Sequence, residues 1–179
     1  MFVCMHYTTR IYIGNIFLTI FMKITHLSKF YREDITQFFK KKNLIGVELG
    51  VARGNFSKEL IKSNKFKFLF GVDSYSIKQH NKNEYKHALK NTGIFSSYKL
   101  LNMTFDDALT LFPDNSIDFI YFDGFAHTGQ DYGKTLIKWS KKIKINGILS
   151  GDDYDDKWEL NQQIINQFAK DNNFNISIT

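Results

Sequence analysis

Cysteine and proline are almost missing from this sequence: its 179 residues include one cysteine, Cys4, and one proline, Pro113. A single thiol excludes an internal disulfide framework and a thiolate zinc cluster, and it fits a reducing, cytoplasmic setting. No internal repeat and no low-complexity linker divides the chain. The histidines at 6, 26, 80 and 87 lack partners at metal-ligand spacing. The apolar stretch from Ile11 to Met22 is shorter than the about 20 residues a bilayer span takes, so no stable membrane span is expected. Arg10 precedes it in the manner of a signal peptide, but no small-residue cleavage site follows. Met22-Lys23 would make an ordinary start. Residues 1–21 therefore read as an N-terminal extension with no role in the core, against the alternatives of a membrane anchor or a docked extra strand.

What is present is a globular composition. Hydrophobic residues make up 43% of the chain, enough for one domain, 22–179, with a sizeable core. The net charge is +6. The lysines are spread along the chain, and the run Lys40-Lys41-Lys42 is too short to define a binding stripe. Nucleic acid is therefore not the expected partner, although a basic surface keeps contact with RNA open as an alternative.

The most informative stretch is Val47-Glu48-Leu49-Gly50-Val51-Ala52-Arg53-Gly54-Asn55-Phe56-Ser57. An apolar strand from Leu44 ends in a carboxylate, two glycines four apart follow, and a helix begins near Asn55. Glycines allow a sharp turn and a close backbone approach to a ligand. The spacing departs from the dinucleotide fingerprint G-x-G-x-x-G, which needs glycine where Ala52 stands. A carboxylate before the bend repels a diphosphate and suits an ammonium group. The bend thus favours a cationic, phosphate-free nucleoside ligand.

Strands and helices alternate from here on. Strands are expected at Leu44–Val47, Phe68–Val72 (buried on both faces), Tyr98–Leu101, Ile117–Phe122, Ile148–Leu149 and Asn175–Thr179. Helices are expected from Asn55 to Ser63, Asn81 to Lys90 with Tyr85, Ala88 and Leu89 inward, and Trp158 to Lys170 with Leu160, Ile164, Ile165 and Phe168 inward. Another should place Tyr132, Leu136, Trp139 and Ile143 on one face. Thr104 caps a short helix with Asp107 as its partner, and Asn146-Gly147 turns the chain. This order predicts an α/β fold, a three-layer Rossmann-like sandwich with a mainly parallel sheet, whose C-terminal edge strand is missing or truncated. Ligands bind such sheets beyond the carboxyl ends of the strands. Those ends carry Glu48, Asp73, Asn102-Met103, Asp123 and Asp152-Asp153.

From Leu44 to Thr179 the chain resembles the class I S-adenosylmethionine-dependent methyltransferases. It is most similar to small-molecule and sugar O-methyltransferases with the pattern D-G-x-H … W … K-L-K-x-G-G … G-H-D-Y. The matching residues are Asp123-Gly124-Phe125-Ala126-His127, then Trp139, Lys142-Ile143-Lys144-Ile145-Asn146-Gly147, and Gly151-Asp152-Asp153-Tyr154. The pattern has His where Asp152 stands.

The resemblance implies S-adenosylmethionine as cofactor and a small-molecule acceptor hydroxyl as target. Glu48 and the bend residues Gly50, Ala52 and Gly54 would hold the methionine end. Asp73, 23 residues after Gly50, would grip the ribose hydroxyls, with Ser74 beside it; the alternative is a strand-end Asp capping the following turn. Met103 and Thr104 would meet adenine, although Thr104 serves equally as a simple helix cap. Asp123 has three jobs open to it: contact with the cofactor ammonium, general base, or metal ligand. The resemblance also implies a Mg²⁺ site made by Asp123, Asp152 and Asp153, since three adjacent carboxylates repel unless a cation or protons intervene. His127 is a second candidate base, with a structural hydrogen bond as the alternative. RNA or protein methylation is the alternative; the chain has Asp-Gly-Phe-Ala where base N-methyltransferases carry Asn/Asp-Pro-Pro-Tyr, which disfavours base N-methylation. A truncated, non-catalytic binding module and a homo-oligomer are both compatible with the residues.

Overall fold

The computed structural model describes residues 2–7, 23–78, 80–124 and 131–179. His127 and the apolar stretch from Ile11 to Met22 lie outside them. In chain order the elements are β1 (Phe2–Tyr7), β2 (Ile24–His26), a 3-10 helix (Arg32–Phe38), β3 (Leu44–Leu49), α1 (Asn55–Lys62), β4 (Phe66–Asp73), α2 (Lys82–Thr92), β5 (Tyr98–Asn102), α3 (Phe105–Leu109), β6 (Ile117–Phe122), α4 (Lys134–Ser140), β7 (Ile143–Asp152), α5 (Glu159–Asp171) and β8 (Phe174–Ile178).

The described strands form one sheet in the order β2-β8-β1-β7-β6-β3-β4-β5. The run from β7 to β5 is parallel throughout. Each crossover helix must then lie on a face of the sheet, and apolar residues alternate between two cores accordingly. Ile117 and Ile120 pack with Ala108, Leu136, Trp139 and Ile165 under α3, α4 and α5. Phe119 and Tyr121 face the other way, onto Phe56, Leu60 and Ile61 of α1 and Ile35 of the 3-10 helix. The three-layer α/β architecture expected from the sequence is the one observed.

Several local expectations change. β1 pairs antiparallel with β7 on one side and β8 on the other, with Met5 opposite Leu149 and Ile176. Phe2–Tyr7 is thus part of the sheet, which corrects the reading of residues 1–21 as lacking a role in the core. The antiparallel neighbour of β7 is a strand that precedes the parallel run in the chain. β7 is one continuous strand, so Ile143 is a strand residue and not the end of a helical stripe. The Asn146-Gly147 turn is a local irregularity in which Asn146 takes φ 65° and the register against β6 slips. Tyr132 is 74% exposed, outside α4. Leu89 and Leu160 are exposed rather than inward, and Phe68 lies on the exposed half of β4. Among the described residues no helix is long and apolar enough to cross a membrane.

Candidate functional site

The strand ends of β3, β4, β6 and β7 meet at one rim. Parallel pairing sets Glu48 opposite Gly71 and Tyr121, and Leu49 opposite Val72 and Phe122. Gly50, the next residue, donates its N–H to Val72 O at 2.9 Å, and Asp123 donates its N–H to Leu49 O at 2.8 Å. Gly50 has φ 95°, and a Cβ there would lie 1.3 Å from the Asp123 carbonyl oxygen. Only glycine lets β3 leave the sheet this close to β6.

The bend that follows is held by side chains from the end of β4, the residues just after it, and α2. Asp73 Oδ2 accepts the N–H groups of Val51 and Ala52, each at 3.0 Å, and its Oδ1 accepts the Tyr75 N–H at 3.0 Å. The Tyr75 hydroxyl donates to Ala52 O at 2.9 Å, and Asn91 Nδ2 donates to Arg53 O at 2.9 Å. Ala52 itself sits at φ 48°, and Gly54 caps α1 at φ 74°. Asp73 is buried, and three of the roughly four lone-pair directions of its carboxylate are occupied by backbone donors. Sequence reasoning brought Asp73 to the bend but not into this tethering role. Tyr75 and Asn91 had no sequence signal, because their partners are carbonyl oxygens of a loop.

Glu48 is only 1% exposed. It accepts a short hydrogen bond from Ser57 Oγ, which lies 3.0 Å from the Tyr98 hydroxyl. Burial, reinforced by the charge of Asp123, pushes its pKa up to about 8 against the pull of the Ser57 donor. At neutral pH this carboxyl is largely protonated, a compact polar plug beneath the bend. The same burial raises the Tyr98 and Tyr121 hydroxyls.

On the other side of Gly50, Arg32 reaches over from the start of the 3-10 helix. Its Nη1 donates to Asp123 Oδ2 at 3.3 Å and to Asp152 Oδ2 at 3.1 Å. Its Cζ stands 4.8 Å from the centre of the Phe56 ring, within cation–π range. Burial opposes its charge, but Tyr121, Asp123 and Asp152 outweigh that, so its pKa lies above the ordinary arginine value. Asp152 Oδ1 accepts the N–H of Asp153, which takes φ 56°. The cation between the strand-end carboxylates is therefore a guanidinium. Among the described residues no group of three or more His, Cys, Asp or Glu is arranged to hold a metal ion, and Arg32 stands between two of the three carboxylates expected to bind Mg²⁺. No motif marks Arg32 in the sequence.

Thr104 is exposed and caps α3, its Oγ1 accepting the Asp107 N–H at 3.1 Å and donating to Asp107 Oδ2 at 2.6 Å. Met103 is half-buried against the core. Ser74 Oγ lies 2.9 Å from Ser76 Oγ. A cavity of about 280 Å³ opens beside Arg32, lined by Glu33, Asn55, Phe56, Lys58 and Glu59 among others.

Residues 47–154 match the family model described as Methyltransferase domain. An uncharacterized protein of Acanthamoeba polyphaga mimivirus is 27% identical over 143 residues, covering 77% of this chain and 64% of that protein. The chain thus spans less than two thirds of the length of that curated relative. Among solved structures, precorrin-6y C5,15-methyltransferase from Geobacter metallireducens superposes with a TM-score of 0.58 at 16% identity, covering 84% of this chain and 77% of that one. A putative S-adenosyl-L-methionine-dependent methyltransferase from Methanococcus maripaludis gives 0.53 at 19% identity, covering 79% and 62%. These structural likenesses show the shared fold, and the family model covers more than half of the chain. The chain belongs to the methyltransferase domain family and has the fold of the class I S-adenosylmethionine-dependent enzymes.

Proposed function

We propose that this protein transfers a methyl group from S-adenosylmethionine to a hydroxyl of a sugar or other small metabolite. The observation that carries the reading is the convergence of Gly50, Asp73 and Asp123 at one rim of a parallel sheet, with the Gly50 Cα too close to the Asp123 carbonyl for any side chain. The residues fit the cofactor. The bend offers backbone without side-chain bulk, and no phosphate-binding glycine pattern is present. The ribose would meet Asp73 and Ser74, exchanging one of the loop contacts for its hydroxyls, and the adenine would lie toward Met103 and Thr104. Gly50, Ala52, Gly54 and the carboxyl of Glu48 would flank the methionine end.

When bound, the sulfonium supplies an activated methyl that passes to the acceptor oxygen, the broken C–S bond leaving its electron pair on sulfur. Asp123 stands on the acceptor side to orient the hydroxyl and receive its proton, and His127 is the second candidate for that role. The chain otherwise contributes alignment and exclusion of water. The cavity beside Arg32 mixes both charge signs, amides and one aromatic face, a lining suited to a polyhydroxylated acceptor.

Titration calorimetry with S-adenosylmethionine and its demethylated product tests the assignment. Both bind, and Asp73→Ala weakens each by about tenfold or more, since it removes a charged hydrogen-bonding group from both loop and ligand. Preferential binding of NADH would overturn the reading. RNA binding that falls steeply with salt would transfer the acceptor to a nucleic acid.

A further inference from the structure

We propose that Arg32 is the resident cation of the acceptor end, holding Asp123 and Asp152 in place where a divalent metal would otherwise be required, so that methyl transfer here is metal-independent. The inference rests on the methyl-transfer reading for its consequence but on geometry for its substance. One nitrogen, Nη1, serves both carboxylates, at 3.3 Å and 3.1 Å. The remaining oxygen of Asp152 is taken by the Asp153 N–H. A cation entering between Asp123 and Asp152 would meet a like charge already seated there.

Arg32 is also fixed in position. Its guanidinium packs on Phe56. The 3-10 helix that carries it is anchored by Ile35, 0% exposed, and is followed at once by Phe39, whose ring packs edge-on against Phe66 and Phe119 at 5.4 Å and 5.0 Å. A guanidinium remains charged across the accessible pH range and offers donors in a rigid planar fork. It can orient two carboxylates without the near-octahedral oxygen shell and partial dehydration that Mg²⁺ demands. Arg32 is in this sense a positioning residue, acting on the acceptor through Asp123.

Manganese binding to the full chain, followed by the loss of the free-ion electron paramagnetic resonance signal, tests the proposal without a turnover assay. Wild type and Arg32→Lys bind Mn²⁺ weakly. Arg32→Ala removes the positive charge between the two carboxylates and binds it about tenfold or more tightly, and adding Asp152→Asn removes the gain. A thermal melt accompanies each variant. Wild-type binding as tight as that of Arg32→Ala, or tight wild-type binding lost in Asp152→Asn, overturns the proposal. Should Arg32→Ala fail to fold, the wild-type and Asp152→Asn pair still decides. Cofactor binding is read separately by calorimetry: its absence would sink the methyl-transfer reading while leaving the manganese result to judge Arg32.

Discussion

Glu48 shows how far one residue's meaning depends on its surroundings. In the sequence it is an acid before a glycine bend, and so a candidate partner for an ammonium group. In the fold it is a buried carboxyl under Ser57 and beside Tyr98, with a pKa of about 8 against an ordinary 4.5. The native state therefore holds a proton that the unfolded chain releases between those values. Stability must then fall as the pH rises from about 4.5 to about 8 and level off above, because the unfolded state binds fewer protons over that window. The loss amounts to a few kcal/mol. Glu48→Gln keeps the shape without the titration. Urea denaturation at pH 5.5 and pH 8.5 should show wild type losing stability relative to this variant at the higher pH. A difference between the two proteins that stays constant with pH would contradict the assignment. Arg32, by contrast, was illegible in the sequence. It lies far in sequence from both of its acidic partners, and only parallel pairing of β3, β6 and β7 brings them under it.

At the scale of elements, what was legible was what is locally encoded. The bend between β3 and α1, the short helix α3 and the strand β6 all follow from signals within a few residues: glycines at a chain reversal, Thr104 three residues before Asp107, an apolar run interrupted only by Asp118. Thr104→Ala should accordingly cost about 1 kcal/mol in chemical denaturation, the usual value of an N-cap. An effect within error would mean that α3 does not depend on its cap. What could not be read was decided elsewhere in the chain. Ile143 continues a helical stripe in the sequence, yet it belongs to β7 because Ile117 of β6 lies beside it. Leu160 fits the apolar periodicity of α5 but stays exposed, while Ile165 and Phe168 of the same helix are buried. Asp73 was legible as a site residue by its distance from Gly50. Its hold on the bend was not, since it depends on how the loop folds back over β4.

Across the whole molecule, the β7 edge of the parallel run is closed by β1, a strand that precedes that run in the chain. β1 is hydrogen-bonded on both edges, so a residue lacking a backbone donor at its centre disturbs the sheet from the inside. Met5→Pro should lower stability by several kcal/mol, measured by denaturation, and should expose the edges of β7 and β8, seen as concentration-dependent association on gel filtration. A variant as stable and as monodisperse as the wild type would mean that β1 contributes little. The placement of β1 also governs the order in which the chain can be assembled during synthesis. Val3 pairs with Gly151 and Ile178, so β1 finds both of its neighbours only after β7 and β8 have been made. The parallel run from β3 to β7 can form earlier, but its β7 edge stays open until β1 docks. A topology with contacts this distant in sequence folds slowly and late, and the open edge of β7 is the surface a nascent-chain chaperone would have to cover.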